Sequence, residues 1–412
     1  MKHIAFVEAS STGAGALINL IAKRRGYHVT LLTRSPESQP QDVLQNCDSI
    51  IHCETNDFDV ALQCVEEVNR KKQIDAVTTT ADWYVPLTAT ICQNLGLPGM
   101  SLEAAVSARN KYRMRCILER TCPEYNPGFA LAANENEALA VIQGWTFPFV
   151  AKPQNADAGE YVELIGSQDA LCAYLHKAQS WDTNTAGQPM EREVLLEEYV
   201  SGEEYSIETL QAKGGLIQLI GVTRKHLIGQ ERGYFVESGH AFPVSSVVAE
   251  RLFEATSRIL DALSIDCGVI HTECRLTENG DVKVMEVNPR LAGGKIGSHL
   301  IELATGRSAV EAIIDIALGE QVVWRTPRHE AAAVTYLWSD RAGVFQGIIN
   351  RDELLSLPGI VDVMAIAKVG CQTAPPKSNK DRLGVVLSRA ADAEQAYAYA
   401  REAASRARFL KE

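Results

Sequence analysis

The sequence predicts a mixed α/β and α+β protein: a parallel α/β domain, a long α+β centre and a small α+β tail. Three observations predict it. The first hundred residues alternate apolar strands with helices, the rhythm of a parallel sheet covered on both faces. From about residue 194, strand follows strand across short glycine turns, which is the pattern of antiparallel pairing. The tail from about residue 325 is mixed again.

Each element carries a local signal. "HIAFVE" is a first strand, and "GALINLIAKRRG" is a helix stopped at Gly26. "HVTLLT" and "SIIHCE" are the next strands. A helix through "VALQCVEEVNRKK" leads to the strand "IDAVTTT", and the helix "VPLTATICQNLG" stops at Gly96. "GLPGMS" punctuates a boundary near residue 100. One helical stretch, "EAAVSARNKYRMRCILERT", precedes the strand "FPFVAKP", and residues 167–180 read as a helix. "EVLLEEYV", "EEYSIETLQA" and "GLIQLIGVTR" read as an antiparallel meander, followed by a helix over 247–263. "CGVIHTECRLT" and "VKVMEVN" are strands joined by the turn "ENGD". Helices around 296–303 and over 309–318 close the centre. The tail reads as "AAAVTYLW", "IVDVMAIAKVG" and "DRLGVVLSRA", then the amphipathic helix "DAEQAYAYAREAASRARF". The expected domains are 1–100, 101–195, 196–320 and 321–412.

Composition narrows the function classes. With 412 residues, 46% hydrophobic and 22% charged, the chain is an ordinary soluble type with room for about three domains. A net charge of −12 argues against nucleic acid and anionic membrane as partners. No apolar run reaches the roughly 18 residues of a bilayer span, and Glu8 interrupts the first apolar run as no secretory segment would. The ten cysteines form no C-x-x-C pair and no zinc-spaced cluster, which suits reduced thiols in a cytoplasmic protein.

The glycine-rich loop "SSTGAGALI" fails as a dinucleotide fingerprint. Gly13 and Gly15 fit, but Ile18 takes the third glycine position, and "LLTRS" ends the second strand without an acid for a ribose. Lys152 lies inside the apolar strand "FVAKP", so it must reach an anion or leave the core. The loop after it, "QNADAGEYV", is small and polar, as a phosphate-covering flap would be. In "LLEEYVSGEEYSIE", alternation turns Glu197 and Tyr199 one way and Glu198 and Val200 the other, with Glu204, Ser206 and Glu208 on one face. This is either an exposed polar face or a hinge strand whose backbone meets a base edge, with an acid on the ribose.

The most informative pair is "IHTE" with "MEVNPR". On a two-stranded antiparallel ribbon Glu273 and Glu286 can face each other. Opposed carboxylates repel, and a divalent cation removes that cost. Two carboxylates and the Asn288 amide oxygen are hard ligands that suit Mg²⁺. Arg290 can fork onto a phosphate or a substrate carboxylate.

These pieces, in this order and with "GYFVESGHAFP" between them, resemble the ATP-grasp superfamily over Met1 to about residue 320. The resemblance implies an ATP-grasp fold: an N-terminal pre-ATP-grasp α/β domain, two central ATP-grasp α+β parts and a C-terminal α+β subdomain. It implies ATP and Mg²⁺, or Mn²⁺, as cofactors. Lys111 and Lys152 would contact ATP phosphates. Glu197, Glu198, Tyr199 and Val200 would line the adenine, with Glu198 and Val200 pairing through the backbone, and Glu204 would take the ribose hydroxyls. Glu273, Glu286 and Asn288 would hold the metal. Arg290 would stabilise the acylphosphate, and the run Arg224, Lys225 and His226 would face the γ-phosphate. The flap departs from the family pattern: it has one glycine, Gly159, and carries Asp157 and Glu160.

Within the superfamily, "FVE", "FVESGHAFP" and "RLAGGKIGSHLIELATG" look most like the L-amino acid ligases and dapdiamide synthetase-type carboxylate–amine ligases. That resemblance implies amide-bond formation through an acylphosphate, from small carboxylate and amine substrates, by a chain that is often a homodimer. The alternatives are an ATP-grasp carboxylase, a purine-pathway ligase, or a nucleotide-binding regulatory module without turnover.

Overall fold

The computed structural model describes residues 1–10, 13–157, 159–328 and 330–411. Ser11 and Thr12 of the glycine-rich loop, Ala158 of the flap, His329 and Glu412 lie outside the described residues.

The N-terminal strands pair in parallel in the order Ser49–His52, His28–Thr33, His3–Val7, Ala76–Thr78. His3–Val7 is buried at every residue, as a central strand covered on both faces must be. Helix Phe58–Lys71 starts at Asp57, whose carboxylate accepts from the amides of Asp59 and Val60. Helix Val85–Leu95 ends at Gly96 in the left-handed conformation.

The single helix expected after residue 100 is two helices, Leu102–Arg109 and Lys111–Thr121. Asn110 breaks them: its backbone is extended and its side chain accepts from the Arg113 amide. The break sets Lys111 at the start of the second helix.

The expected meander is two sheets. Val194–Glu198 pairs with Phe129–Ala132 and Phe149–Pro153 in a four-stranded antiparallel sheet that ends at Glu163–Ile165. Glu203–Gln211 belongs to a separate eight-stranded sheet. Gly202 makes the turn between them at φ +139°, where a Cβ would lie 2.3 Å from the Leu276 carbonyl oxygen. The larger sheet runs Val282–Asn288, Gly268–Leu276, Glu203–Gln211, Gln218–Ile228, Val236–Phe242, Ala331–Leu337, Gly384–Ala390, Ile360–Ala365. Its last three strands come from the tail. The strand Val236–Phe242, which no local pattern assigns, bridges centre and tail.

Apolar cores fix these layers. One joins helix Gly15–Arg24 of the first domain to helix Ala309–Ala317 and the back of the large sheet. A second packs helices Lys111–Thr121 and Ser246–Ala262 on the same sheet. No helix among the described residues is long and apolar enough to cross a membrane. All ten cysteines are free thiols; Cys64 and Cys172 are only half-buried, whereas Cys92 and Cys267 are buried.

Candidate active site

A cavity of about 660 Å³ lies where the two antiparallel sheets meet the C-terminal ends of the parallel strands. Its floor is the ribbon of Gly268–Leu276 and Val282–Asn288, on which Glu273 and Glu286 are direct partners. Glu286 pairs with the Lys111 ammonium at 2.7 Å. Glu273 pairs with Lys225 at 2.8 Å and accepts from His271 Nε2 at 3.0 Å. Asn288 is buried beside them, and its side-chain amide makes no hydrogen bond among the described residues.

Lys152 stays in the core because an acid meets it. Its Nζ is 2.7 Å from Glu197, which also accepts from Arg115 Nε at 2.7 Å. Burial pushes the Glu197 carboxyl up, but Arg115 and Lys152 outweigh it and hold it at about 2. One carboxylate thus serves two cations. Burial, with Arg115 and Lys111 nearby, pushes the Lys152 ammonium down despite Glu197. The surplus positive charge is what an entering phosphate would meet.

Glu197 lines the cavity beside Glu198, Tyr199 and Val200, and its two carboxylate oxygens are engaged by buried cations. Glu198 is exposed, and its amide already donates to the Gly128 carbonyl at 2.8 Å, so that amide is closed to a base edge. Val200 lines the cavity, and its amide makes no hydrogen bond among the described residues. Tyr199 lies near-parallel to Phe235, with the Arg275 guanidinium 5.4 Å from both ring centroids. Glu204, expected at a ribose, accepts from Arg275 Nε at 2.9 Å and pairs with Lys225 at 2.9 Å.

The basic run divides by strand alternation. Lys225 is buried among Glu204, Glu273 and Glu237, and these carboxylates raise its ammonium well above the usual lysine range against the burial cost. Arg224 and His226 turn to the other face, Arg224 to Glu203 and Glu394 and His226 stacked on Tyr397. They cannot face a phosphate in this cavity. Arg290 reaches the cavity with Nε 3.6 Å from Asp82 Oδ1.

Several residues in or behind the cavity wall carry no signal that the motifs above captured. His271 bonds Glu208 through Nδ1 and Glu273 through Nε2; burial alone would lower its pKa, but the two carboxylates hold it at about 10. It sits two residues before Glu273, so the period-2 rule applied to "IHTE" would have found it. Arg115 follows Lys111 by one helical turn and donates to the carbonyls of Val284 and Met285 at 2.9 and 3.0 Å. Asp82 stands just past a parallel strand and binds Arg109. Arg382, from the tail, donates to Glu237 at 2.6 Å and lies over the Tyr336 ring.

Residues 21–99 match the ATP-grasp N-terminal domain family and residues 145–299 the ATP-grasp domain family. The chain belongs to the ATP-grasp superfamily. Residues 335–410 of this ATP-grasp chain match the L-amino acid ligase C-terminal domain 2 family. An L-amino acid ligase from Bacillus licheniformis has the same fold, with a TM-score of 0.82, 21% identity, and 100% of this chain and 99% of that one covered. The chain is similar to alanine–anticapsin ligase of Bacillus amyloliquefaciens, 25% identical over 59% of this chain and 54% of the relative. It is also similar to the formate-dependent phosphoribosylglycinamide formyltransferase of Burkholderia pseudomallei, 26% identical over 96% of this chain and 94% of that one. The chain spans about half or less of the length of the first curated relatives that it matches.

The ATP-grasp floor fits a divalent cation by its donor chemistry. Among the described residues no group of three or more His, Cys, Asp or Glu could hold a metal. The set here is two opposed carboxylates and one uncommitted amide oxygen. Mg²⁺ accepts such a partial set, because it keeps waters and takes further oxygens from phosphates.

Proposed function

We propose that the protein is an ATP-dependent carboxylate–amine ligase that joins two amino acids, or an amino acid and a small acid, with release of ADP and phosphate. The observation that carries this reading is Arg382. It comes from the segment that matches the L-amino acid ligase C-terminal domain and reaches the cavity that the ATP-grasp elements build.

In this reading ATP lies with its base toward Tyr199 and Val200 and its phosphates on Lys152 and Lys111. Glu273, Glu286 and Asn288 would hold Mg²⁺, which neutralises phosphate charge when bound. Arg290 holds the substrate carboxylate in line with the γ-phosphorus. A carboxylate oxygen attacks, the bond to the ADP oxygen breaks, and an acylphosphate forms. The amine then attacks the acyl carbon, the bond to phosphate breaks, and the amine's proton is lost to solvent. Lys225 and Arg290 meet the charge that moves onto phosphate oxygens. Such a scheme needs no protein nucleophile. It suits a cytoplasmic enzyme acting on small molecules.

A matrix of amino-acid pairs with ATP and Mg²⁺ tests this reading, with nucleotide products and mass spectra as the readout. ADP, phosphate and an amide that appears only with both substrates support it. AMP and pyrophosphate would mean adenylation and would overturn it. Bicarbonate-dependent ADP release without an amine would favour a carboxylase. The end-to-end likeness to the formyltransferase supports a second reading, in which formate and phosphoribosylglycinamide replace the amino acids. ADP release with that pair alone would select it.

A further inference from the structure

Beside the facing acids of the floor lies a buried pair that the ligase scheme does not use. Strand Gly268–Leu276 runs between Glu203–Gln211 and Val282–Asn288, and its His271 stands in register with Glu208 on one side and Asn288 on the other. Glu273 follows two residues later, on the same face. Glu208 is 0% exposed. One of its oxygens meets His271 Nδ1, and the other accepts from the Ala292 amide at 3.0 Å. Among the described residues its one ion pair is with His271, and Arg290 acts on it only from beyond contact distance.

The oxygens of the floor acids are divided. His271 Nε2 donates to Glu273 Oε1 at 3.0 Å, and Lys225 Nζ lies 2.8 Å from that same oxygen. Glu273 Oε2 has no hydrogen-bond or ion-pair partner among the described residues. Glu286 shows the same split, with Lys111 at 2.7 Å from Oε1 and nothing on Oε2. The two cations on Glu273 hold it differently. Lys225, shared with Glu204 and Glu237, carries its charge on a flexible stem that can follow a turning carboxylate. The His271 ring is anchored at its far nitrogen by Glu208, and the Ala292 amide keeps Glu208 from swinging away.

We propose that Glu208 and His271 are positioning residues that leave Glu273 a single free oxygen, and so set the floor's preference for Mg²⁺ over Ca²⁺. This rests on the metal floor of the ligase reading and adds its ion selectivity. Ca²⁺ takes about six to eight oxygens in flexible geometry and often both oxygens of one carboxylate, whereas Mg²⁺ keeps a near-octahedral shell with several waters and few carboxylates. A carboxylate whose second oxygen is tied to a fixed ring cannot chelate. The larger ion loses a ligand by this, and Mg²⁺ loses none. An outer carboxylate that orients a histidine is a common support for metal ligands; here the histidine orients another carboxylate.

The test titrates the full chain, saturated with ADP, with MgCl₂ or CaCl₂ and reads binding by calorimetry, so that no turnover enters. ADP binds both ions in solution, and wild type and variants share that background. The readout is therefore the change in the Mg²⁺-to-Ca²⁺ affinity ratio. Glu208→Gln/His271→Leu removes the ring together with its buried counter-charge and leaves an amide oxygen for Ala292. Checked for fold by circular dichroism, it is expected to shift the ratio toward Ca²⁺ by about 10-fold, the lower end of what an outer partner of a metal ligand is worth. Glu208→Gln alone keeps the ring, loosens its anchor and is expected to shift the ratio the same way by less; it decides the matter if the double variant does not fold. An unchanged ratio overturns the proposal. So does an equal weakening for both ions, the mark of a merely structural role. A wild-type ADP complex that binds neither ion removes the metal assignment of the floor itself, and the selectivity with it.

Discussion

Glu273 and Glu286 stand opposite each other on adjacent antiparallel strands, and each is held by a lysine from a different element, Lys225 and Lys111. The lysines screen a repulsion that a divalent cation would otherwise relieve. Glu273→Ala or Glu286→Ala is therefore expected to lower turnover by roughly 10²- to 10³-fold, the scale of a lost transition-state charge contact, with the fold kept. ADP release under Mg²⁺ titration, with circular dichroism alongside, reads this. Activity within a few-fold of wild type would remove the metal assignment.

The surplus charge on Lys152 makes a binding prediction. ATP with Mg²⁺ should raise the melting temperature, because a ligand that binds only the folded state stabilises it by mass action. Lys152→Ala should blunt the rise. NADPH should give none, since the glycine loop offers no dinucleotide fingerprint. Stabilisation by NADPH but not by ATP would sink the nucleotide reading.

Arg115 supports the site from below. It is fully buried and links Glu197 to the carbonyls of Val284 and Met285, joining the two antiparallel sheets. Arg115→Met leaves an acid and two carbonyls short of donors. The expected cost is about 3–5 kcal/mol, as for breaking a buried ion pair from one side. Urea denaturation measures it, and a change below about 1 kcal/mol would contradict the bridging role.

Glu197 also sets an acid limit. Its carboxyl is held at about 2 in the fold against an ordinary 4.5. A depressed pKa gives stability that is complete above the unfolded value and lost as the pH falls toward the folded one. Wild type should therefore lose on the order of 3 kcal/mol from this group between about pH 4.5 and pH 2. Glu197→Gln, less stable at neutral pH, should close the gap to wild type across that window. A constant gap would show that Glu197 does not titrate there.

The sequence carried the elements whose signals are local. The alternation of the first hundred residues gave the parallel sheet, and two carboxylates at matched strand positions gave the facing pair. It did not carry facts that depend on which sheet a strand joins. Val194–Glu198 and Glu203–Gln211 look like one run, yet Gly202 sends them into different sheets. The fates of Glu197 and Glu204 were hidden for the same reason. Their partners Arg115, Lys225 and Arg275 come from distant elements, and no spacing encodes those meetings. Asp82 was silent because one aspartate opening a single helical turn carries no pattern.

The shared eight-stranded sheet has a consequence for how such a chain can be taken apart. Strand Val236–Phe242 is covered on one side by Ala331–Leu337. A chain cut short near residue 320 would expose its row of amide and carbonyl groups, an open template for strand addition between molecules. Grafting a foreign tail onto this core would need more than a compatible binding surface: the incoming strand must match the register of His240 with Val334 and Ala241 with Ala333. Recombination in this architecture is thus limited by backbone pairing as much as by substrate fit, and hybrids joined within a loop on either side of that seam should aggregate unless both paired strands travel together.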